Sequence, residues 1–329
     1  MEPLGLGIAL IALFVGFGTF IGILFGFFGM GGSFLVTPAL LVLGYPAPAA
    51  VGSGLAFVFG TSVIGALRRR DHGQVSYPLA TVMALGTTLG VEVGARVVFL
   101  LEDLGSADLV ISVVYVGFLG AVGLFVLRDA RTGGTDVGTI EVTPRVPAIE
   151  LPPMLSLPGG GTVSVWVVLV VGSAIGVLSG WLGVGGGFPL LPVMTYGFGV
   201  PGAIAAGTSS LQIVASGAFG TFVYAQSNAV DVPVVTALLA GSALGARIGA
   251  GATRLVGEGD FTGCFAGMLL AGGVATASKR ASVVYGVETL GTTSAVLVSG
   301  TAALVGGTIV HASIDALRKN REHGPPLTR

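Results

Sequence analysis

The fold class this chain predicts is an all-α polytopic membrane protein. It would be built from two inverted repeats of transmembrane helices, each carrying a glycine-broken or re-entrant segment. Three observations lead there. Only 9% of the 329 residues are charged and 53% are hydrophobic, with a mean hydropathy of +0.93; soluble domains carry roughly 25% charged residues. The stretches 3–67 and 163–230 contain no Lys, Arg, Asp or Glu, and each far exceeds the ~20 residues that cross a hydrocarbon core. Finally, residues 26–38 read GFFGMGGSFLVTP and residues 180–192 read GWLGVGGGFPLLP, a helix-breaking glycine cluster that recurs in register. Irregular backbone in a bilayer is tolerated only where it is buried in protein or lines a wet cavity. Paired interruptions of apolar segments are the sequence pointer to a transporter's substrate site.

The apolar runs give the elements in order. The first half has runs at 4–27, 33–45, 48–67, 78–101 and 108–127. The second has 163–182, 187–199, 202–226, 232–256 and 261–277, followed by a last run near 283–312. The runs 33–45 and 187–199 are short enough to be half-helices or re-entrant segments. Residues 128–162 are rich in Pro, Gly and Thr with charges of both signs, and read as an extramembrane linker. The domain plan is therefore a first membrane repeat over 1–127, the linker at 128–162, a second repeat with a final helix over 163–312, and a cytoplasmic tail at 313–329.

The repeat extends past the glycine clusters. Gly26, Gly29, Gly31, Gly32, Phe34 and Pro38 match Gly180, Gly183, Gly185, Gly186, Phe188 and Pro192. After a one-residue slip, Pro46 matches Pro201, Gly52-Ser53 matches Gly207-Thr208, and Val75 and Pro78 match Val230 and Pro233. Gly86, Gly90 and Gly94 then match Gly241, Gly245 and Gly249. Positive charge orients the halves: Arg68-Arg69-Arg70 closes the third run and Arg128 and Arg131 close the fifth, marking cytoplasmic loops, with Glu102-Asp103 outside. The turn equivalent to the arginine triplet, SNAVD, has no positive charge. This asymmetry favours inversion, with the N-terminus outside and Arg318, Lys319 and Arg321 inside. Lys279-Arg280 falls outside in this scheme, against the rule.

Composition excludes several functions. A net charge of −1 and no basic, aromatic-interleaved tract argue against nucleic-acid binding. One cysteine, Cys264, allows neither an internal disulfide nor a cysteine metal site, and reads as a small packed residue. The three histidines, His72, His311 and His323, are scattered, so no metal and no cofactor are expected. No nucleophile–base grouping lies in the apolar runs, so an enzyme is not expected. The start MEPLGLG lacks a positive n-region, and the first run reads as a retained helix of a multi-pass protein of the cell membrane.

The clusters GMGGSFLVTP and GVGGGFPLLP, followed by PAPAAVGSGL and PGAIAAGTSSL, resemble the TauE/SafE family of membrane permeases for sulfite, sulfonates and related organic anions. The resemblance covers both halves, about residues 10–310. It implies transport of a small anion, by a secondary mechanism.

Physical chemistry supplies a binding mode for such a substrate. A helix that starts mid-membrane leaves unpaired N–H groups carrying roughly half a positive charge, and glycines let an anion approach them. Candidate substrate-binding residues are Gly29, Gly31, Gly32 and Ser33 in the first cluster and Gly183, Gly185, Gly186 and Gly187 in the second. Ser53, Thr208, Ser209, Ser210 and Gln212 add side-chain donors; Phe57 stands where the first half would have Gln212. The structural alternative is that the glycines only permit close helix crossing and that the hydroxyls bond back to their own helix.

Intramembrane charges form the second constellation. Glu92 and Arg96 lie one turn apart and share a face. Arg247 aligns with Glu92 across the repeat, which predicts a Glu92–Arg247 ion pair between the halves; Arg96 or Arg247 would otherwise attract the anion. Arg254 reads as snorkelling to the interface. Glu288 is the candidate protonatable group if protons are the coupling ion, the alternative being that, near the start of the last run, it sits among the lipid headgroups; His311 with Asp315 reads as an exposed helix-end cluster. The competing functions are an anion channel and a non-transporting sensor or structural membrane protein.

Overall fold

A computed structural model describes residues 7–28, 35–70, 75–131, 151–158, 160–252, 259–285, 300 and 307. Among these residues the apolar runs become ten α-helices: α1 (Ile8–Phe28), α2 (Val36–Val42), α3 (Ala47–Arg70), α4 (Tyr77–Asp103), α5 (Ala107–Arg131), α6 (Val165–Leu182), α7 (Gly187–Pro192), α8 (Gly202–Gln226), α9 (Val232–Ala252) and α10 (Gly259–Tyr285). Spans 47–67, 77–103, 107–128 and 165–182 are long and apolar enough to cross a membrane. Leu85, Leu89, Val93 and Leu100 lie exposed along α4, as do Val113 and Leu124 on α5; an exposed aliphatic stripe of this length fits lipid rather than water. The chain is an all-α polytopic membrane protein.

The two short runs do not span. α2 has seven residues and α7 six, about 10 Å of helix against a hydrocarbon core of ~30 Å. α7 continues as a π-helical turn over Val193–Gly197. Both are packed inside the protein: Val36, Thr37, Ala39, Leu40 and Val42 are buried, as are Leu190 and Met194. Both short helices, and the break that precedes α7, are thus kept away from lipid.

Of the expected linker, Arg128–Arg131 completes α5, residues 132–150 lie outside the described residues, and a small antiparallel hairpin precedes α6. Its strands, β1 (Met154–Ser156) and β2 (Thr162–Ser164), pair with Leu155 opposite Val163. The Val165 N–H donates to Pro153 O at 3.0 Å, fixing the hairpin to the start of α6.

Packing exchanges elements between the halves. α1 lies parallel to α9: a Cβ at Gly18 would collide with Leu238 and one at Gly22 with Ser242, while Gly241 and Gly245 face Val15 and Thr19. α4 lies parallel to α6 in the same manner. Gly86, Gly90 and Gly94 meet Leu169, Ser173 and Val177, and Gly172, Gly176 and Gly180 meet Met83, Thr87 and Val91. Small residues every fourth position let the backbones touch, which is how helices associate without a water-driven term. α3 and α8 run antiparallel, with Gly217 against Phe59 and Gly220 against Leu55. α5 and α10 are also antiparallel, with Gly123 against Leu270 and Gly273 against Leu119.

Candidate functional site

The second glycine cluster is a chain reversal that only glycine fits well. α6 stops at Gly183, whose φ of 71° is left-handed and whose N–H donates to Ser179 O at 2.8 Å. Gly185 and Gly186 follow at φ 67° and 76°. An L-residue with a Cβ is strained in that region by roughly 1–2 kcal/mol per position. Three such positions in four residues require the glycines that the motif supplies. Gly186 is then the N-cap of α7, accepting the Leu190 N–H at 3.1 Å.

Neighbours close the break on every side. A Cβ at Gly185 would strike Val58 of α3, one at Gly187 would crowd Ile213 of α8, and one at Gly186 would press Ile175 of α6. The opposite half reaches in through Thr37 of α2, whose Oγ1 would stand 2.6 Å from a Cβ at Gly183. The short helix of the first half therefore seats against the break of the second.

Breaking α6 frees its last carbonyls, which an apolar interior cannot leave unpaired. Two fully buried tyrosines take them. Tyr115 of α5 donates to Leu182 O, and Tyr224 of α8 donates to Gly180 O at 2.7 Å. Sequence reading missed both, since each lies far along the chain from its acceptor.

The expected hydroxyls divide by what they already hold. Ser209 and Ser210 donate back to Ala206 O at 3.1 and 2.8 Å, the helix-bound state. Ser53 accepts the Asp231 N–H and Thr208 the Ser76 N–H, so both tie down the segments entering α9 and α4. Gln212 is buried and donates to Thr87 Oγ1 of α4 and to Ser216 Oγ at 3.1 Å, leaving its Oε1 without a donor. Ser179 Oγ, one turn before the break, is likewise buried and unpartnered. Ser179, Thr37, Thr87 and Ser216 were not singled out from sequence; their only signal was a small polar residue within an apolar run. Gly29, Gly31, Gly32 and Ser33 lie outside the described residues.

Of the expected charge pairings, the local one forms and the one between the halves does not. Glu92 pairs with Arg96 on its own helix at 2.8 Å, and the two side chains are 32% and 78% exposed. Arg247 is exposed on α9, which packs on α1 and α3, whereas α4 packs on α6 and α8. No Glu92–Arg247 pair forms: a partner one helical turn away is reached without bringing the two helices together. Arg254, Glu288, His311, Asp315, His72 and His323 fall outside the described residues, and Cys264 lies on α10. Among the described residues no group of three His, Cys, Asp or Glu side chains could hold a metal ion. Around the break stand backbone groups, the hydroxyl of Thr37, the side chain of Ser179, and the aliphatic side chains of Val58, Ile175 and Ile213.

Comparison with known proteins agrees with this architecture. The family model described as "Sulfite exporter TauE/SafE" matches residues 13–276. Two proteins of Xylella fastidiosa, from strains 9a5c and Temecula1 and each named "Probable membrane transporter protein", are 28% identical over 238 residues, covering 71% of this chain and 82% of theirs. No solved structure matches. The family match takes in both glycine clusters and nearly every described helix, and the chain belongs to the sulfite exporter TauE/SafE family of multi-pass membrane transporters.

Proposed function

We propose that the chain is a secondary transporter of small anions, of the sulfur oxyanion or organosulfonate class that includes sulfite, with the substrate held at the glycine break between the halves. The observation that carries this reading is the junction of Thr37 with Gly183, which joins the short helix of one half to the broken helix of the other. Two buried polar atoms have no partner: Ser179 Oγ, on a residue that neighbours Gly186, and Gln212 Oε1, on the residue before Ile213, which packs on Gly185 and Gly187. Such groups cost about 1–3 kcal/mol each unless a ligand or water satisfies them. α7 is too short to develop a large dipole, so the backbone of Gly185–Gly187 and the polar side chains carry the affinity.

The two halves, 1–127 and 163–312, are read as inverted repeats, joined by the extramembrane linker 128–162 and followed by a cytoplasmic tail at 313–329. Support comes from the reciprocal packing. Under the repeat alignment α1 corresponds to α6 and α4 to α9, and α1 packs on α9 as α4 packs on α6. The equivalent helices α3 and α8 run antiparallel, as an axis in the membrane plane requires. Rocking of one half against the other would then expose the break to either side in turn.

The test is uptake into proteoliposomes of sulfite, thiosulfate, sulfate, organosulfonates and small carboxylates, with and without a proton gradient. Saturable flux of the sulfur anions, abolished in Gly185→Ala, is the expected result. A resolvable unitary current would assign a channel instead, and no flux of any anion would sink the proposal. Stimulation by the gradient would establish proton coupling.

A further inference from the structure

A second polar concavity lies at the other end of α2 from Thr37. It measures about 190 Å³ and is lined by Tyr45, Asp108, Ser112, Thr276, Lys279 and Arg280, with aliphatic walls from α2 and α10. Asp108 stands in the first turn of α5, and Lys279 and Arg280 in the last two turns of the antiparallel α10. The pocket is therefore near the bilayer surface, where α5 begins and α10 nears its end.

Its hydrogen-bonding groups are out of balance. Asp108 Oδ1 already accepts the Ala47 N–H at 2.8 Å, capping the start of α3. Ser112 Oγ donates to Asp108 O at 2.6 Å, and Thr276 Oγ1 donates to Gly272 O at 2.8 Å. These hydroxyls are committed to their own helices. Arg280 Nε is buried with no acceptor, and neither Arg280 nor Lys279 has a carboxylate of another described residue within 4.0 Å. A buried guanidinium N–H without a partner is costly, and Arg and Lys between them bring up to eight donors. Tyr45 adds a phenol that burial, and then the Asp231 carboxylate, holds above its ordinary pKa, so it stays a donor through neutral pH. The pocket offers two cations and a phenol against one committed carboxylate. It also has room for a tetrahedral anion with several waters, each taking about 30 Å³.

We propose that this pocket binds a tetrahedral oxyanion group through Arg280, Lys279 and Tyr45, at a site separate from the glycine break. Free sulfate or phosphate and the phosphodiester of an anionic lipid share this chemistry, and two arms distinguish them. In the first, the thermal midpoint of the full-length protein in detergent is followed against sodium sulfate and sodium phosphate, with chloride at matched ionic strength. In the second, native mass spectrometry of protein released from nanodiscs compares retention of phosphatidylglycerol with phosphatidylcholine.

A midpoint rise specific to sulfate or phosphate, weakened about tenfold or more in apparent affinity by Arg280→Gln, assigns a free anion. Preferential phosphatidylglycerol retention lost in the same variant assigns a lipid. Lys279→Gln, altering a half-buried side chain, serves equally if Arg280→Gln fails to fold. Gly185→Ala should keep whichever signal is seen, so failure of the transport reading would leave this one standing. Sulfate, phosphate and chloride acting alike, together with equal lipid retention in wild type and both variants, would overturn the proposal.

Discussion

Ser53 Oγ, fully buried on α3, accepts a hydrogen bond of 2.9 Å from the backbone N–H of Asp231 in the opposite half of the chain. Its repeat equivalent, Thr208 on α8, accepts the N–H of Ser76 at 3.0 Å, and Ser76 is the equivalent of Asp231. Each half thus uses a hydroxyl from its third helix to hold the segment entering the other half's fourth. Asp231 then turns its own carboxylate onto the Val234 N–H at 3.1 Å, the N-cap arrangement that opens α9.

Removing either hydroxyl leaves a backbone N–H unpaired, buried at Ser76 and partly buried at Asp231, at about 1–3 kcal/mol. Ser53→Ala and Thr208→Val are expected to lower stability by similar amounts. Ser53→Thr, which keeps the acceptor, should cost less. Thermal unfolding in detergent followed by size-exclusion profiles checks this, and a neutral Ser53→Ala would remove the latch.

Tyr115→Phe and Tyr224→Phe each delete the donor to a carbonyl at the end of α6. Each should destabilise by about 1–3 kcal/mol, and the two together should loosen the break enough to weaken transport. Amide hydrogen exchange over 178–187 is the direct measurement, with faster exchange expected in both variants.

Gly185→Ala meets the Val58 side chain and sits at φ 67°, so transport should be lost and stability reduced. Gly120→Ala on α5 meets nothing within 4 Å and replaces a glycine inside a helix, where alanine gains roughly 0.5–1 kcal/mol. It should be neutral or stabilising and transport normally. If both variants behave alike, the break is no more demanding than any helical glycine.

Gln212→Met separates binding from folding. Thr87 keeps its own bond to Met83 O at 2.9 Å, the unpaired Oε1 disappears, and Ser216 Oγ, which loses the Gln212 donor, can turn to the carbonyl one helical turn back. Folded yield should hold while anion flux falls by about tenfold or more, since a buried polar group that contacts substrate is worth ~1.5–3 kcal/mol. Unchanged flux would show that Gln212 serves only the α4–α8 contact.

Charge variants of Glu92 should couple to Arg96 and not to Arg247. A double-mutant cycle in which Glu92→Gln and Arg247→Gln are additive, and a Glu92/Arg247 swap that rescues nothing, are expected. A coupling between 92 and 247 would place the two side chains together in another state of the transport cycle.

Sequence by itself determined the membrane class, the order of the described elements and the position of the second break. A bilayer tolerates few charges and little free backbone, so helices must appear as long apolar runs. Left-handed backbone favours glycine, as at Gly183, Gly185 and Gly186. Side-chain partnership was legible only where it is local: Glu92 chose the cation four residues away, and Ser209 and Ser210 chose their own helix. What Ser53, Thr208, Tyr115 and Tyr224 do was decided by the tertiary structure alone. A hydroxyl reads the same in a helix whether its partner is a substrate or a backbone group 44 to 178 residues away. Only the way the helices pack brings Tyr115 and Tyr224 to the break and Ser53 and Thr208 to the segments entering α9 and α4.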